Sequence, residues 1–247
     1  MKRFLLLFAT GIFASLFLQS LIVRHDVDDQ TFIDKAKGYP QICHLPMGEA
    51  TLIDSIWVVT AGHVGQDLKR DIQNGYAPTV KCNGVAYAIA EVYVHPRFEP
   101  IVNDIALIRL KAPVKNVQGL KLFTASDETG KEITLVGMGD IGNGLTGPQK
   151  WDKITRAATN RIDSVTDKWI IFSFDSPDSE KATTLEGVSG PGDSGGPAIV
   201  EQNGVKYLAG VSSHQADFGK KGVYGVTEYY TRVSRYAGWI KETTETK

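Results

Sequence analysis

The sequence predicts an all-β fold, a barrel or a sandwich, that ends in one α-helix. Short segments rich in β-branched and aromatic residues recur along the chain, separated by Gly, Asn, Asp and Pro. Apolar residues at helical spacing are rare, and many short strands with few helical stripes are typical of barrels and sandwiches. With 247 residues, 42% of them hydrophobic, the chain is long enough to enclose one or two cores.

The predicted strands alternate apolar and polar residues or are continuously apolar, as half-buried and buried strands do. In chain order they are residues 41–45, 51–59, 85–94, 105–110, 132–136, 169–172 and 207–211. Residues 67–75 are polar and predict a surface loop. Residues 111–119, which contain a proline and mixed polar residues, are the best candidate for a linker between two β halves.

The predicted helix lies at the C-terminal end, from Ser234 to about Thr244. Apolar residues recur there at helical spacing, at Val233, Tyr236, Ala237 and Ile240. This is the one segment in which that spacing is clear.

The N-terminus carries the pattern of a secretory signal. Lys2 and Arg3 precede an apolar run from Phe4 to Leu18, and a small residue follows for cleavage. A membrane anchor is the alternative, because the apolar stretch extends to Val23, but it is barely long enough and no basic cluster follows it. A signal over residues 1–20 predicts an exported protein, secreted or periplasmic, with no stable membrane span after cleavage.

The formal net charge of −1 provides no broad basic surface, which argues against nucleic acid as the main partner. The two cysteines, Cys43 and Cys82, match no zinc-binding spacing. In an exported protein they form either one disulfide or two buried thiols, and a disulfide is favoured. No metal or cofactor is predicted.

The stretch 189–197, Ser-Gly-Pro-Gly-Asp-Ser-Gly-Gly-Pro, has the composition of a nucleophile loop. A serine hydroxyl becomes reactive when a base takes its proton and fixed donors receive the charge on the attacked oxygen. Glycines lack Cβ, so the backbone around Ser194 can turn sharply and aim its N–H groups at an oxyanion. An ordinary Gly/Pro surface turn is the structural alternative.

The same residues also fit the Gly-x-Ser-x-Gly nucleophile elbow of α/β-hydrolase esterases. An elbow runs directly into a helix, whereas Ser194 is followed by Pro197 and a strand-turn-strand pattern over residues 198–211. That family also orders its triad as serine, acid, histidine, while the best histidine and aspartate here lie upstream of Ser194. An esterase is therefore disfavoured.

Of the five histidines, His63 has the context that a catalytic base requires. It follows the apolar residues 57–59 and two small residues, so a rigid strand end would hold it beside a cleft. Asp104 opens the apolar segment 105–110, and a partly buried acid needs a partner such as an imidazole N–H. Each residue alone could be structural, but the order His, Asp, Ser predicts a catalytic triad.

Three motifs together resemble those of the trypsin/chymotrypsin serine endopeptidases. They are Thr60-Ala61-Gly62-His63, Asn103-Asp104-Ile105-Ala106-Leu107 and Gly192-Asp193-Ser194-Gly195-Gly196-Pro197. The resemblance implies two six-stranded antiparallel β-barrels with the active site in the cleft between them, a polypeptide substrate, and protein inhibitors as further partners. Residues 21–118 would form the barrel with the histidine and the aspartate. Residues 119–247 would form the barrel with the serine and the terminal helix.

The resemblance also implies a role for each residue of the triad. Ser194 would attack the scissile carbonyl and form an acyl-enzyme, His63 would accept and return its proton, and Asp104 would orient the imidazole. The backbone N–H groups of Gly192 and Ser194 would form the oxyanion hole.

The sequence departs from the family at the activation site, because no Arg/Lys-Ile-Val-Gly-Gly segment is present. In the family a newly formed α-amino group pairs with the aspartate before the serine, here Asp193. We expect signal removal itself to expose this amine, at Leu21 or Ile22, without a separate zymogen step.

The primary specificity pocket is also unusual. Alignment on Ser194 places Val188 at its base, where no aspartate is present to favour Lys or Arg, and places Ser213 and Gln215 on the substrate-pairing strand. Counting back from the C-terminal helix puts Glu228 on the back wall, where a carboxylate would attract a basic side chain or be solvated or paired with a lysine. In the alternative register, residues 222–224 form that wall.

The sequence thus predicts an exported, cofactor-free serine endopeptidase. The alternative from another functional class is a protease-fold binding protein without turnover. The complete triad and the oxyanion glycines weigh against it, because binding requires none of them.

Overall fold

β-Strands are the predominant secondary structure in the computed structural model, which describes residues 21–217 and 219–247. The first strands are β1 Ile22–Val23, β2 Ile42–Leu45, β3 Gly48–Asp54, β4 Trp57–Thr60, β5 Thr79–Cys82, β6 Val85–Val94, β7 Ala106–Leu110, β8 Lys121–Leu122 and β9 Glu132–Gly137. The remaining strands are β10 Asp140–Asn143, β11 Gly147–Trp151, β12 Arg156–Arg161, β13 Ser164–Val165, β14 Trp169–Ser173, β15 Gly187–Val188, β16 Pro197–Gln202, β17 Val205–Ala216 and β18 Thr227–Arg232. The helices are α1 Asp29–Ala36, α2 Gly62–Gln73 and α3 Ala237–Thr246, with a 3₁₀ turn at Val233–Arg235. The predicted signal, residues 1–20, lies outside the described residues.

Strands β2 to β7 form a closed antiparallel barrel in the order β2-β3-β4-β7-β6-β5. Its interior is filled by aliphatic side chains, including Leu52, Val58 and Leu107, which are completely buried. Burial of such side chains is the main favourable term in folding. Cys43 and Cys82 face each other on the neighbouring strands β2 and β5 and form a disulfide, which confirms the favoured alternative.

The second half of the chain forms a sheet in the order β12-β9-β16-β17-β18-β14-β13, with β8 paired to β17. It curls around a second core that contains Leu135, Phe172 and Tyr230. This sheet is a half-barrel with an open strand path and more than six strands, whereas the first barrel is closed and six-stranded. A smaller sheet, β11-β10-β1-β15, brings Ile22 beside Val188. The all-β fold with its C-terminal helix is confirmed.

The loop predicted for residues 67–75 is wrong for most of its length, because α2 extends to Gln73. Val64 and Leu68 are buried on one face of this helix, one turn apart, and the other face is polar. Two apolar residues form a stripe too short for helical periodicity to be recognised. Helix α1 buries one residue completely, Phe32, and was missed for the same reason.

Helix α3 confirms the predicted C-terminal helix, although it begins at Ala237 and the residues before it form the 3₁₀ turn. Within residues 21–217 and 219–247, no helix combines the length and the apolar character that crossing a bilayer requires.

Candidate active site

Strand β4 ends beside the start of β7, and this places His63 next to Asp104. Their register pairs Thr60 with Ala106, so the chain leaves β4 for α2 beside the residues that enter β7. His63 is the second residue of α2, and Asp104 lies two positions before β7. The sheet register therefore brings together two residues that are 41 positions apart.

Asp104 binds both the ring and the backbone of His63. Nδ1 of His63 lies 2.9 Å from Oδ2 and 3.1 Å from Oδ1 of the carboxylate. The backbone N–H of His63 donates to Oδ1 at 2.8 Å. Ala61, which precedes α2, has no capping side chain, so the carboxylate satisfies an amide that the first helical turn leaves unpaired. The Asp104 side chain is 1% exposed and that of His63 is 39% exposed, so the imidazole is open to a ligand while its partner is not.

The environment of Asp104 favours its ionised form. Burial by itself raises the pKa, but the hydrogen bond and charge of His63 and the Ser213 hydroxyl outweigh it, and the net effect lowers the pKa. Ser213 Oγ donates to Oδ2 at 2.6 Å. Thr231 Oγ1, from the second sheet, donates to the backbone carbonyl of Asp104 at 2.8 Å. Both halves of the molecule thus hold this acid in place.

The loop that carries Ser194 packs directly on the first barrel. The N–H of Glu49 donates to the Ser194 carbonyl at 2.8 Å, and the N–H of Gly195 donates to Ser212 O at 2.9 Å. Gly195 has φ of +86°, and a Cβ there would lie 2.2 Å from Thr60 Oγ1 and 2.3 Å from Glu49 O. Glycine is required because any side chain would collide with these atoms.

The backbone N–H groups of Gly192 and Ser194 donate to no acceptor among the described residues. Gly192 has a positive φ of 98°, which few other residues adopt. Free amides at a partly exposed loop are available to a negatively charged oxygen.

The structure does not link Ser194 to His63 by a hydrogen bond within the described residues. Ser194 lines a cavity together with Ser213, whose hydroxyl binds the same carboxylate as His63. Hydrogen bonds between a nucleophile and its base are often long without substrate and tighten when substrate binds.

Asp193 is buried and carries no basic side-chain partner among the described residues. Its oxygens accept hydrogen bonds from Gly139 N at 3.3 Å and from Gly190 N at 2.9 Å. Burial raises the pKa of this carboxyl well above its usual range, and the charges of Glu49 and Glu228 raise it further. The small sheet that contains β1 leaves Leu21 1% exposed and Ile22 0% exposed.

A cavity of about 190 Å³ lies beside Ser194. Residues that line it include Ser189, Gly190, Ser213, Gln215 and Glu228. Glu228 lies opposite Gln215 in the β17–β18 pairing, and both residues line the cavity. Val188 is completely buried in β15 and pairs with Ile22, and its neighbour Ser189 lines the cavity.

Two donors bind the Glu228 carboxyl group. Ser189 Oγ donates to Oε2 at 2.9 Å, and Gln215 Nε2 donates to Oε1 at 2.6 Å. The side-chain oxygen Oε1 of Gln215 accepts a hydrogen bond from Gly222 N at 2.9 Å, which fixes the orientation of the side-chain amide. Burial raises the pKa of Glu228 to about 8, although both hydrogen bonds lower it. No lysine or arginine in the described part of the chain forms an ion pair with Glu228.

Sequence reasoning missed two residues beside the nucleophile loop, His44 and Glu49. Nδ1 of His44 lies 2.6 Å from Oε2 of Glu49, which is 2% exposed. Glu49 is the one charged residue in the run 48–53, and this was a usable signal because a charge on a buried strand needs a partner. Across the described residues, no group of three or more His, Cys, Asp or Glu is arranged to hold a metal ion.

Comparison with known proteins shows the family to which the chain belongs. The family model described as Trypsin matches residues 35–240. Serine protease SP24D of Anopheles gambiae is 28% identical over 205 residues, which is 78% of this chain and 70% of that protein. Transmembrane protease serine 9 of Rattus norvegicus is 28% identical over 216 residues, which is 77% of this chain and 19% of that protein. The family match covers most of the described residues, and the chain therefore belongs to the trypsin family of serine proteases.

Proposed function

We propose that the protein is a serine endopeptidase that cleaves peptide bonds through the triad Ser194, His63 and Asp104. The observation that carries the proposal is the His63–Asp104 pair, in which a buried carboxylate binds Nδ1 of an exposed imidazole at 2.9 Å. Because Nδ1 faces the acid, Nε2 is the ring nitrogen left to accept a proton. A serine on a glycine-rich loop with free backbone amides lies on the same side of the molecule.

The reaction proceeds in two stages. Ser194 Oγ attacks the scissile carbonyl carbon while His63 Nε2 accepts the hydroxyl proton, and the N–H groups of Gly192 and Ser194 bind the developing oxyanion. His63 then protonates the leaving amine, which leaves an acyl-enzyme. A water molecule, deprotonated by His63, then attacks the acyl carbon. The bond to Ser194 Oγ breaks, His63 returns the proton to Oγ, and the carboxylic acid product leaves. Asp104 stays ionised and stabilises the imidazolium throughout.

The active form begins at Leu21 or Ile22, and its α-amino group pairs with Asp193. The buried position of both residues supports this, and so does the lack of a basic side chain beside Asp193 in the part of the chain that the structure describes. A buried carboxyl without a cation favours its protonated form, whereas a neighbouring ammonium group stabilises the carboxylate. The pair would hold the loop from Gly192 to Ser194 in the shape that the oxyanion requires.

The cavity beside Ser194 binds the substrate side chain that precedes the cleaved bond. Its volume of about 190 Å³ suits one side chain, since a 150 Å³ cavity accommodates benzene. Glu228 supplies the acid that attracts Lys or Arg. Gln215 and Ser189 orient its carboxyl group by hydrogen bonds, and Val188 closes the base of the cavity behind Ser189. A bound cation favours the ionised carboxyl, so the preference for basic side chains increases as pH rises toward the pKa of about 8.

The protein acts after export, with the segment 1–20 removed as a signal. The disulfide between Cys43 and Cys82 supports an oxidising compartment, because cytosolic thiols are kept reduced. Polypeptides are the substrates, and protein inhibitors that occupy the same cleft are further partners.

The experiment compares the signal-free protein with the Ser194→Ala variant, using a fluorophosphonate probe and casein. We expect covalent labelling and casein cleavage that both require Ser194. Absence of both in the folded wild-type protein would contradict the proposal and favour a binding protein. Peptide substrates with Lys or Ala before the cleaved bond, assayed with Glu228→Gln, test the pocket separately. Loss of the Lys preference supports the role of Glu228, and an unchanged preference contradicts it.

A further inference from the structure

We propose that Glu49 is a positioning residue for the oxyanion hole. Its carboxylate accepts a hydrogen bond from the backbone N–H of Met138, and the next residue, Gly139, donates to Asp193. Glu49 thereby fixes the position of Asp193 and of the nucleophile loop. The inference rests on the proposed proteolytic function, because it assigns a task within that site.

Glu49 lies on the first barrel but faces the second half of the molecule. It pairs with His44 across the β2–β3 hairpin, where Nδ1 of His44 lies 2.6 Å from Oε2. Oε1 accepts a hydrogen bond from the backbone N–H of Met138 at 3.0 Å. Both carboxylate oxygens are thus occupied, one within the barrel and one by a residue 89 positions away.

The backbone of Glu49 also contacts the nucleophile loop. Its N–H donates to the Ser194 carbonyl at 2.8 Å, and its carbonyl accepts from Thr60 Oγ1 at 2.7 Å. A Cβ at Gly195 would lie 2.3 Å from that carbonyl. One residue therefore binds the loop through its main chain and the Met138 segment through its side chain.

The Met138 segment is in direct contact with Asp193. Gly139 N donates to Asp193 Oδ1 at 3.3 Å, and a Cβ at Gly137 would lie 2.0 Å from that same oxygen. A displacement of the segment would move the carboxyl group and the two amides on either side of it, those of Gly192 and Ser194. Oxyanion donors act through fixed geometry, so a small displacement costs rate.

A buried acid is an unusual way to fill this position. Burial raises the pKa of Glu49, and the hydrogen bond and charge of His44 together with the Met138 amide offset part of that effect. An aliphatic residue would fill the same space without the desolvation cost, but it would leave the partly buried Met138 N–H without its acceptor. The hydrogen bond to Met138 explains why an acceptor is needed here.

The test uses Glu49→Ala, Glu49→Leu and Glu49→Gln in the signal-free protein. Leucine keeps most of the volume but accepts no hydrogen bond, so it substitutes for alanine if Glu49→Ala does not fold. Glutamine keeps an acceptor for Met138. The matched control is Glu128→Ala, which removes another completely buried acid, bound to Arg232 and Ser234 and outside the proposed site.

The measurements are kcat and KM per titrated active site, the affinity for a peptide boronate whose tetrahedral adduct occupies the oxyanion hole, and Tm. We expect kcat and boronate affinity to fall about 10- to 100-fold in Glu49→Ala or Glu49→Leu, with KM changed far less. Glu49→Gln should recover most of the wild-type kcat and most of the boronate affinity. Glu128→Ala should lower Tm but leave kcat and boronate affinity within about twofold of wild type.

The inference is overturned if Glu49→Ala and Glu49→Leu keep kcat and boronate affinity within about twofold of wild type. It is equally overturned if Glu128→Ala lowers them as much, because the loss would then reflect stability alone. A wild-type protein without Ser194-dependent hydrolysis is a separate result, which contradicts the proposed function itself.

Discussion

At the scale of single residues, four buried carboxyl groups surround the nucleophile loop, and their partners give them different charge states. Asp104 accepts hydrogen bonds from His63 and from the Ser213 hydroxyl, and its pKa is lowered. Burial is the main cause that raises the pKa of Asp193 and of Glu49. It also raises the pKa of Glu228, to about 8. Burial is comparable in all four, so the hydrogen-bond donors and cations around each group decide which acid is ionised.

Replacement of Glu228 by Gln should stabilise the protein more as pH rises. The pKa of Glu228 is about 8 in the folded state, whereas an unperturbed glutamate has a pKa of about 4.3. Between these values the unfolded chain releases a proton that the folded chain keeps, so the contribution of Glu228 to stability is complete below about pH 4 and lost by about pH 8. Glutamine does not titrate.

The difference in unfolding free energy between Glu228→Gln and wild type should therefore shift by about 3 to 4 kcal/mol from pH 5 to pH 8, in favour of the variant. Urea denaturation at both pH values measures it. Acids that are not coupled to Glu228 titrate equally in both proteins and cancel in the difference. The charge of Glu228 raises the pKa of Asp193, and its removal favours the variant in the same direction. A difference independent of pH would show that Glu228 is ionised throughout.

Replacement of Gly195 by Ala should destabilise the fold strongly. Its φ of +86° is unfavourable for alanine, and the added Cβ would lie 2.3 Å from Glu49 O and 2.2 Å from Thr60 Oγ1. We expect a loss of about 3 kcal/mol or more in unfolding free energy. Gly204→Ala is the matched control, since φ there is +74° and no atom lies within 4 Å of the added Cβ. That variant should lose only about 1 kcal/mol; equal losses would mean that the contact with the first barrel is unimportant.

At the scale of secondary-structure elements, the disulfide between β2 and β5 is the covalent link of the closed barrel. The two cysteines are 39 positions apart, so the bond restricts a long loop in the unfolded chain. Replacement of both by Ala should lower the unfolding free energy by about 2 to 4 kcal/mol. Guanidinium denaturation of this variant and of the reduced wild-type protein should give similar midpoints, both below that of the oxidised protein. An unchanged midpoint would contradict this expectation.

Several strands were predictable from sequence, whereas others, such as β5 and β12, and two of the helices were missed. Segment 85–94 coincides with β6, and the neighbouring predictions differ from β7 and β9 by one residue at one end. These segments succeed because apolar alternation is a local property. The helices α1 and α2 bury too few residues for a helical stripe to appear, and tertiary packing determines them.

At the scale of the whole molecule, the site is built where the barrel and the second sheet meet. The three residues of the proposed triad could be named from sequence because their motifs are local in sequence. Two sets of contacts could not be predicted from sequence: those of Glu49 with Ser194 and Met138, and that of Gln215 with Glu228. They join segments that only the tertiary fold brings together. The register of β17 and β18 in particular is set by long-range pairing.

The position of the N-terminus should control activity through the whole molecule. In the proposed pairing, a protein that begins at Leu21 or Ile22 presents its α-amino group to Asp193. A protein with two extra residues, Gly-Ser, before Leu21 would not place its amine there. We expect the extended protein to lose most of its titratable active sites while remaining folded by circular dichroism. Full activity in the extended protein would contradict the proposed pairing.

The most direct test of the central claim is a pre-steady-state experiment with an activated ester such as a p-nitrophenyl ester. An acyl-enzyme on Ser194 predicts a rapid release of p-nitrophenol, about one equivalent per active site, followed by slower turnover, and no rapid phase in Ser194→Ala. A folded wild-type protein that releases p-nitrophenol at the same rate as Ser194→Ala would contradict the assignment of Ser194 as the nucleophile.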